Sequence, residues 1–204
     1  MATRKYEQRL RAENADLTRQ RILTALQEQL QAAPSQPVSL DNIARAARVS
    51  RSTIYLVFGS RAGLFDALAE RLWAQAGFGQ LVEAVQDPDA REHLRRGIRA
   101  GAEIFAALRD IGRVLFSMAA LDQDAIGGAI GRIEKDRAGG MAHLAQRLAD
   151  QNILRADVTA EQAADLLWLL TSFDGFDLLY TGRGLTPSQV ADTLVTTAER
   201  ALYR

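Results

Sequence analysis

A short run of basic and hydroxyl-bearing side chains, RSTIYL at positions 51–56, begins a predicted helix. Ser50 precedes it and fits an N-cap, because a serine oxygen accepts a hydrogen bond from a free amide of the first turn. Such a helix start presents hydroxyl groups, a guanidinium and backbone N–H groups together. These groups bind nucleic-acid phosphates, and an arginine can also bind the edge of a guanine base. The run therefore indicates contact with nucleic acid.

A second predicted helix lies just before this run and completes a helix-turn-helix pattern. Ser39 opens that helix, and a tight turn follows at Ala47–Val49. The apolar residues of the pattern can form a small core: Ile43, Ala44, Val49, Ile54 and Phe58. The residues left to project from the second helix are Arg51, Ser52, Thr53, Tyr55 and Leu56. Many helical hairpins share this spacing, so the pattern alone also fits a hairpin that does not bind DNA.

No other part of the chain offers a catalytic or metal-binding pattern. The two histidines, His93 and His143, are far apart in sequence, and the chain has no cysteine. Asp174 and Asp177 fit caps and polar helix faces better than acid–base catalysis. We therefore predict a protein that is not an enzyme and that needs no metal and no cofactor.

Composition and charge favour a globular protein whose two parts differ in charge. The absence of cysteine suits a reducing cytoplasm, and no apolar run approaches the ~20 residues of a membrane span. We therefore predict a cytoplasmic protein without a membrane partner. Residues 1–62 carry ten Lys and Arg against five Asp and Glu, whereas residues 63–204 carry fifteen against twenty. This asymmetry suits DNA contact through the basic first part, although chance clustering of surface charge would give the same counts.

Apolar spacing predicts an all-α chain of about nine helices. The first helix is marked by apolar residues at helical intervals: Leu17, Ile22, Leu23, Leu26 and Leu30. Ser60 opens a fourth helix that should reach about Gln86, with a break near 73–79. Later starts are predicted at Asp87-Pro88 and at the capping boxes 159–162 and 186–189.

The segment LLWLLTSFDGFDLLY at 166–180, taken as one helix, is apolar around more than half of its circumference. A surface helix buries a single stripe, so this helix is expected to pack on its own core and on a second copy of the chain. The predicted dimer interface comprises Leu166, Leu170, Phe173, Phe176, Val190 and Leu194. The alternative is a central helix buried inside a monomer.

Three stretches of the sequence resemble the tetracycline-repressor (TetR) family of bacterial regulators. They are TRQRILTAL at 18–26, VSLDNIARAARVSRSTIYLVFGSRAGLFDAL at 38–68, and Asp174-Gly175. The resemblance implies a DNA-binding head at 1–62 and an effector-binding and dimerisation domain at 63–204. It also implies DNA contacts by Ser39, Arg51, Ser52, Thr53, Tyr55, Leu56 and Arg61, and Arg48, which departs from the family pattern, is a further candidate for a phosphate contact.

The sequence departs from the family pattern at three positions. Arg48 stands where a turn glycine is common, and Val57 replaces a histidine that often contacts DNA. Asp41 would repel phosphate unless Arg45, four residues on, offsets its charge. The leader carries Arg4, Lys5, Arg9 and Arg11, which fit either a flexible basic arm for a minor groove or a solvated tail.

A helical effector domain should hold a mostly apolar cavity with a few polar groups. The candidate residues are apolar wall residues and two polar groups that could bind a ligand: Phe105, Phe116, Met118, Trp168 and Phe173, with His143 and Asp174. Ordinary core packing explains the same residues. Any effector is expected to be small and largely apolar.

These features together predict a dimeric, ligand-responsive repressor that binds a pseudo-palindromic site in double-stranded DNA. An activator or a regulator without a ligand would share the same sequence features. A helical ligand-binding or scaffold protein that has lost DNA binding is a further alternative, because of Val57 and Asp41.

Overall fold

The computed structural model describes residues 2–33, 36–121 and 123–204, with side chains for 10, 12–33, 36–121 and 128–204. Ten helices follow one another in this part of the chain: α1 (Ala2–Ala32), α2 (Leu40–Ala46), α3 (Arg51–Phe58), α4 (Arg61–Gln75), α5 (Gly79–Gln86), α6 (Ala90–Leu121), α7 (Gln123–Asp150), α8 (Ala160–Leu170), α9 (Phe173–Tyr180) and α10 (Pro187–Leu202). The described residues form no β-strand, only an isolated antiparallel bridge between Leu154 and Tyr203. The predicted all-α class is confirmed.

The predicted helix starts in the first third of the chain are confirmed by their caps. Ser39 Oγ accepts the amide of Asn42 at 3.3 Å, and Ser50 Oγ accepts the amide of Thr53 at 3.1 Å. Ser60 Oγ accepts the amide of Gly63 at 2.9 Å, which starts α4. Each hydroxyl satisfies an amide that has no partner inside its own helix.

A compact apolar core holds α1 to α4 together. Its fully buried members include Ile22, Leu23, Leu26, Leu30, Ile43, Ile54, Leu64, Phe65 and Leu68. Leu17 does not join this core, because 63% of its surface is exposed. The backbone of the leader is helical as the first part of α1, and the basic arm stays a prediction. The side chains of Arg4, Lys5, Arg9 and Arg11 lie outside the described residues.

The turn between α2 and α3 places Arg48 in the left-handed region, with φ of 55°. The amide of the next residue, Val49, donates to the carbonyl of Ala44 at 2.9 Å and closes the turn. A side chain in this region costs roughly 1–2 kcal/mol relative to glycine, because Cβ crowds the following carbonyl. Arg48 therefore adopts the left-handed conformation that glycine commonly supplies at this position, and its backbone is strained.

The chain from α6 onwards has its own core, built mainly from α6, α7, α8, α9 and α10. Both predicted capping boxes are present, pairing Thr159 with Gln162 and Thr186 with Gln189. The start predicted at Asp87-Pro88 falls slightly later, since Asp89 Oδ1 accepts the amide of Arg91 at 2.8 Å.

Two predicted helices are each divided in the structure, and the described chain has ten helices where about nine were predicted. The helix expected from Ser60 to Gln86 is broken between α4 and α5, near the predicted position. The segment 166–180, expected as one helix, is divided at Thr171–Ser172. Ser172 Oγ accepts the amide of Gly175 at 3.0 Å and starts α9 anew. Apolar spacing continues through this break, so it did not reveal the second start.

The described chain divides into two compact units: Met1–Arg71 with Arg113–Ile130, and Leu72–Gly112 with Gly131–Arg204. The predicted domain boundary between residues 62 and 63 falls inside α4 and stays a prediction. None of the described helices combines the length and apolar character that a membrane span requires.

The strained turn predicts an unusual response to glycine. Arg48→Gly should raise the free energy of unfolding by about 0.5–1 kcal/mol, because relief of strain exceeds the entropy that glycine adds to the unfolded chain. Arg45→Gly, the same change inside α2, should lower it by about 1 kcal/mol. Urea unfolding of both variants measures the difference. Equal destabilisation by the two changes would contradict strain at Arg48.

Candidate functional site

The outer face of α3 exposes the side chains expected to contact DNA. Arg51, Ser52 and Tyr55 are exposed, and Leu56 is exposed over 86% of its surface. Ile54 points the other way and is buried. An exposed leucine of this degree, beside an arginine and a serine, is suited to an apolar contact with a base methyl group.

Three hydroxyl groups cluster at the N-terminus of α3. Ser50 Oγ lies 2.7 Å from Ser52 Oγ and 2.8 Å from Thr53 Oγ1. Ser50 Oγ also accepts the amide of Thr53. The cluster places hydrogen-bonding groups beside the positive end of the helix dipole, where an anionic phosphate is stabilised.

Arg51 is held by neighbours of its own chain. Its guanidinium Nη1 lies 3.7 Å from Asp41 Oδ2, and both side chains are more than half exposed. The interaction with Tyr55, whose ring centre lies 6.0 Å from the guanidinium carbon, followed by attraction to Asp41, raises the pKa of Arg51 above its usual value. Arg45 instead donates to Asn42 Oδ1 at 3.4 Å. The expected partner of Asp41, Arg45, is therefore replaced by Arg51.

The other predicted DNA contacts lie around this face with mixed exposure. Arg48 and Arg61 are exposed, and the guanidinium carbon of Arg61 lies 5.8 Å from the ring centre of Phe65. Ser39 and Thr53 are half-buried because both take part in helix caps. Their hydroxyls therefore serve the fold whether or not they also contact DNA.

A cavity of about 340 Å³ lies inside the second unit. Its wall is mostly apolar and comes from α4 to α10, with Trp73, Phe78, Leu94, Ile98, Phe105, Met141, Leu144 and Leu167 among its residues. Polar wall residues include His93, Glu134, Arg137, His143, Thr171 and Ser172. This volume is within the ~300–1,000 Å³ of small-molecule sites.

Two of the seven predicted ligand residues, Phe105 and His143, line this cavity. Phe173 lies behind the wall, since it is buried and meets Phe105 edge-on at 5.4 Å between ring centres. Trp168 is 45% exposed, and Asp174 is also exposed. Phe116 and Met118 belong to the first unit. None of these five residues is part of the wall.

His93, which the sequence left without a role, is the most buried polar residue of the wall. It is 4% exposed, and its Nδ1 lies 2.9 Å from Arg147 Nη1. Burial, then the positive charge of Arg147 and then His143, lowers the pKa of His93 to about 4. The imidazole is therefore neutral at ordinary pH. The sequence did hold a signal for its burial. His93 lies three residues after Ala90 and four before Gly97, which is the spacing of one helix face.

Arg147 anchors the end of α7 to the start of α6. Its guanidinium donates to the carbonyl of Val85 at 3.0 Å, to that of Pro88 at 3.0 Å and to that of Asp87. Together with His93 Nδ1, these acceptors use the donors of both terminal nitrogens. Arg147 therefore supports the wall at His93.

A second arginine, Arg137, closes the wall near the end of α8. It pairs with Glu134, and its Nη1 donates to the carbonyl of Trp168 at 2.5 Å and to Thr171 Oγ1 at 3.1 Å. The guanidinium carbon lies 5.0 Å from the Trp168 ring centre. A cation at a helix C-terminus is favourable, because carbonyl groups there lack partners.

Four of the six predicted dimer residues are buried inside the protomer: Phe173, Phe176, Val190 and Leu194. Leu166 and Leu170 are half-buried and pack against the same core. The large apolar side chains that α8 and α9 expose are Trp168, Leu169 and Leu178.

Within the described residues, no three His, Asp or Glu side chains are grouped as metal ligands.

The buried neutral histidine predicts a loss of stability in acid. His93 has a depressed pKa, so the unfolded chain binds its proton more readily and stability falls as pH drops below about 6.5 towards 4. Between pH 7 and pH 5 the loss should reach about 2 kcal/mol. His93→Asn keeps an acceptor for Arg147 but does not titrate, so it should lack this loss. Denaturant unfolding at both pH values, with His143→Asn as control, measures it; the same loss in His93→Asn would contradict this cause.

Comparison with known proteins finds that the first part of the chain is similar to one family model. Residues 22–68 match the model described as bacterial regulatory proteins, tetR family. No curated protein matches the sequence.

Solved structures share the fold over almost the whole chain. One is NalD of Pseudomonas aeruginosa, the secondary repressor of the MexAB-OprM multidrug efflux pump. It is 23% identical, with 94% of this chain and 98% of that chain covered and a TM-score of 0.69. Another is a TetR-like transcriptional regulator from Rhodococcus sp. RHA1, 24% identical, with 90% and 94% covered and a TM-score of 0.65. The predicted resemblance is thereby confirmed: residues 22–68 match the tetR-family model, and the chain shares the fold of these regulators.

Proposed function

We propose that this protein is a ligand-responsive transcriptional repressor that binds a pseudo-palindromic operator as a homodimer. The observation that carries the proposal is the α3 face, where Arg51, Ser52 and Leu56 are exposed beside a hydroxyl-capped helix start. The family match over residues 22–68 supports DNA binding by this part of the chain. No catalytic residue is assigned.

On DNA, α3 enters the major groove and Arg51 binds a base edge or its flanking backbone. Ser52, Thr53 and Tyr55 then contact the phosphates, with Arg48 and Arg61 at the ends of the face. Val57 is half-buried and its side chain has no hydrogen-bonding group. The other residues of the face therefore bind the DNA backbone without a contact from Val57. Asp41 is the one acidic neighbour of Arg51 that opposes phosphate, and Arg51 has to leave it on binding.

The second unit supplies the ligand response through its cavity. The largely apolar wall and a volume of about 340 Å³ suit a small, largely apolar effector. An effector weakens operator binding only to the extent that it binds one conformation of the protein better than the other. Helices α4, α6 and α7 each contribute residues to both units. These three helices therefore transmit a conformational change from the ligand cavity to the first unit.

The homodimer is proposed to form through the exposed apolar side chains of α8 and α9. Leu169 is 63% exposed and Leu178 is 71% exposed, and half-exposed Trp168 adds an aromatic surface held by Arg137. These side chains replace the buried Phe173 and Phe176 in the predicted interface. Removing such side chains from water is the main source of association energy.

A paired substitution tests the DNA-binding face. On an operator selected from random DNA, Arg51→Ala should lose ~1–3 kcal/mol of binding and relax base choice at one position. Asp41→Asn should instead bind about 2- to 5-fold more tightly, because it frees Arg51 and removes a charge that repels phosphate. Fluorescence anisotropy at fixed salt measures both affinities.

The exposed pair Arg99–Asp192, at 3.1 Å in the second unit, is the matched control. Arg99→Ala and Asp192→Asn make the same chemical changes and should leave operator affinity within about twofold. Tighter binding by both Asp41→Asn and Asp192→Asn would point to net charge alone. Failure of the wild-type protein to select any sequence at low salt would refute the regulator proposal.

The dimer surface has its own test. Leu178→Glu should convert the protein to monomer at micromolar concentration, because a buried unpaired carboxylate opposes association. Leu121→Glu changes a leucine that is 88% exposed in the first unit and should leave the dimer intact. Light scattering coupled to size exclusion measures both masses. A wild-type monomer, or a dimer that survives Leu178→Glu, would contradict this surface.

A further inference from the structure

Two charged residues of the cavity wall, Glu134 and Arg137, neutralise one another, and a third wall residue, Asp136, is exposed to solvent. Arg137 directs two nitrogens to Glu134, and its remaining bonds go to the Trp168 carbonyl and Thr171 Oγ1. Only 13% of the Arg137 side chain is exposed. Since the pair is compensated internally, a ligand that competed for either charge would leave the other buried and unpaired.

Arg147, behind the wall, is occupied in the same way. Its bonds go to the carbonyls of Val85, Asp87 and Pro88 and to His93 Nδ1. These bonds hold the connection between α5 and α6 in place. The guanidinium therefore contributes fixed geometry to the cavity and no free cation for an anionic ligand.

The bond between Arg147 and His93 decides which nitrogen of the imidazole carries the proton. A guanidinium has donors only, so His93 Nδ1 must accept, and the proton of the neutral ring lies on Nε2. Nδ1 is occupied in this bond, and the ring is part of the cavity wall. His93 thus brings a hydrogen-bond donor of fixed tautomer to a wall that is otherwise mostly apolar.

We propose that the cavity binds an uncharged, largely apolar molecule with a hydrogen-bond acceptor oxygen, such as a ketone, ester or alcohol, which accepts from Nε2–H of His93. This inference rests on the proposed ligand response and gives the effector its chemical class. Arg147 is a positioning residue in this scheme, because it fixes the donor nitrogen without touching the ligand.

Charged ligands of the same shape are disfavoured by the same wall. An anion would lose its hydration and find both nearby arginines already bound to oxygen or nitrogen acceptors. A cation would meet Arg137 at one part of the wall and the donor of His93 at another, and the wall carboxylate Asp136 is exposed to solvent, where its attraction is screened. A hydrocarbon would fill the apolar space but leave the donor of His93 without an acceptor.

Four probes of equal length separate these classes: methyl octyl ketone, decane, decanoate and decylamine. Displacement of the neutral fluorophore N-phenylnaphthylamine from the full-length protein gives the affinity of each. The ketone is expected to bind at least tenfold more tightly than either ion. Tighter binding of decanoate or decylamine than of the ketone would overturn the inference, and so would a failure of the ketone to bind.

Two substitutions test the donor at His93. His93→Gln places an amide N–H near the position of Nε2, whereas His93→Asn keeps only the acceptor that faces Arg147. Measured relative to decane, the affinity for the ketone should fall about 3- to 10-fold in His93→Asn and be largely retained in His93→Gln. The reverse order would show that His93 only supports Arg147, and would overturn the inference.

Further measurements keep this result apart from the proposed function. Binding of decane to both variants shows that the cavity is intact, and if a variant does not fold, the wild-type probe series still decides. Arg99→Ala, which lies outside the wall, should leave the ratio of ketone to decane affinity unchanged. DNA binding is measured separately: ketone binding through His93 without any effect on operator affinity would contradict the proposed ligand response and still support the assigned class.

Discussion

Each helix leaves amide N–H groups at its start without partners, and the satisfaction of these groups governs much of this structure. Short hydroxyl side chains meet the requirement at α2, α3, α8, α9 and α10. In the first unit the caps at Ser39, Ser50 and Ser60 fix where three short helices begin, and so fix the face that α3 exposes. The hydroxyls that close the helix starts are also the groups nearest to any phosphate bound there.

The second unit depends on a different constraint, which is the burial of charge in a helical core. Arg147 and Arg137 each bring a guanidinium among apolar residues, and each is surrounded by carbonyl or carboxylate acceptors. Arg109 does the same for Asp177, whose carboxylate also accepts from Thr181 Oγ1. These networks tie helix ends together and leave the guanidiniums of Arg137 and Arg147 with acceptors of their own chain. The selectivity of the cavity then comes from shape and from the hydrogen bond of His93.

Local signals made the fold predictable from the sequence, and long-range packing limited the prediction of the sites. Caps at Ser50 and Thr159 are visible within a few residues, so their helices were correctly placed. The burial of Phe173 depends on contacts with Phe105, which no local pattern shows. The pairing of Arg51 with Asp41 crosses a turn, and Arg147 reaches His93 from more than fifty residues away. Only two of the seven expected ligand residues therefore line the cavity.

The coupling that such a regulator needs is small compared with what the cavity can provide. A tenfold change in operator affinity requires about 1.4 kcal/mol of difference between the ligand's affinities for two conformations. At about 25 cal/mol per Å² of apolar surface, this equals a change of roughly 55 Å² in the surface that a ligand buries. Trp73 and Phe78 belong to the wall near the break between α4 and α5, and an aromatic side chain buries about 150–250 Å², well above that amount. A single hydrogen bond at His93 can therefore select the ligand, while the apolar wall supplies the energy of the response.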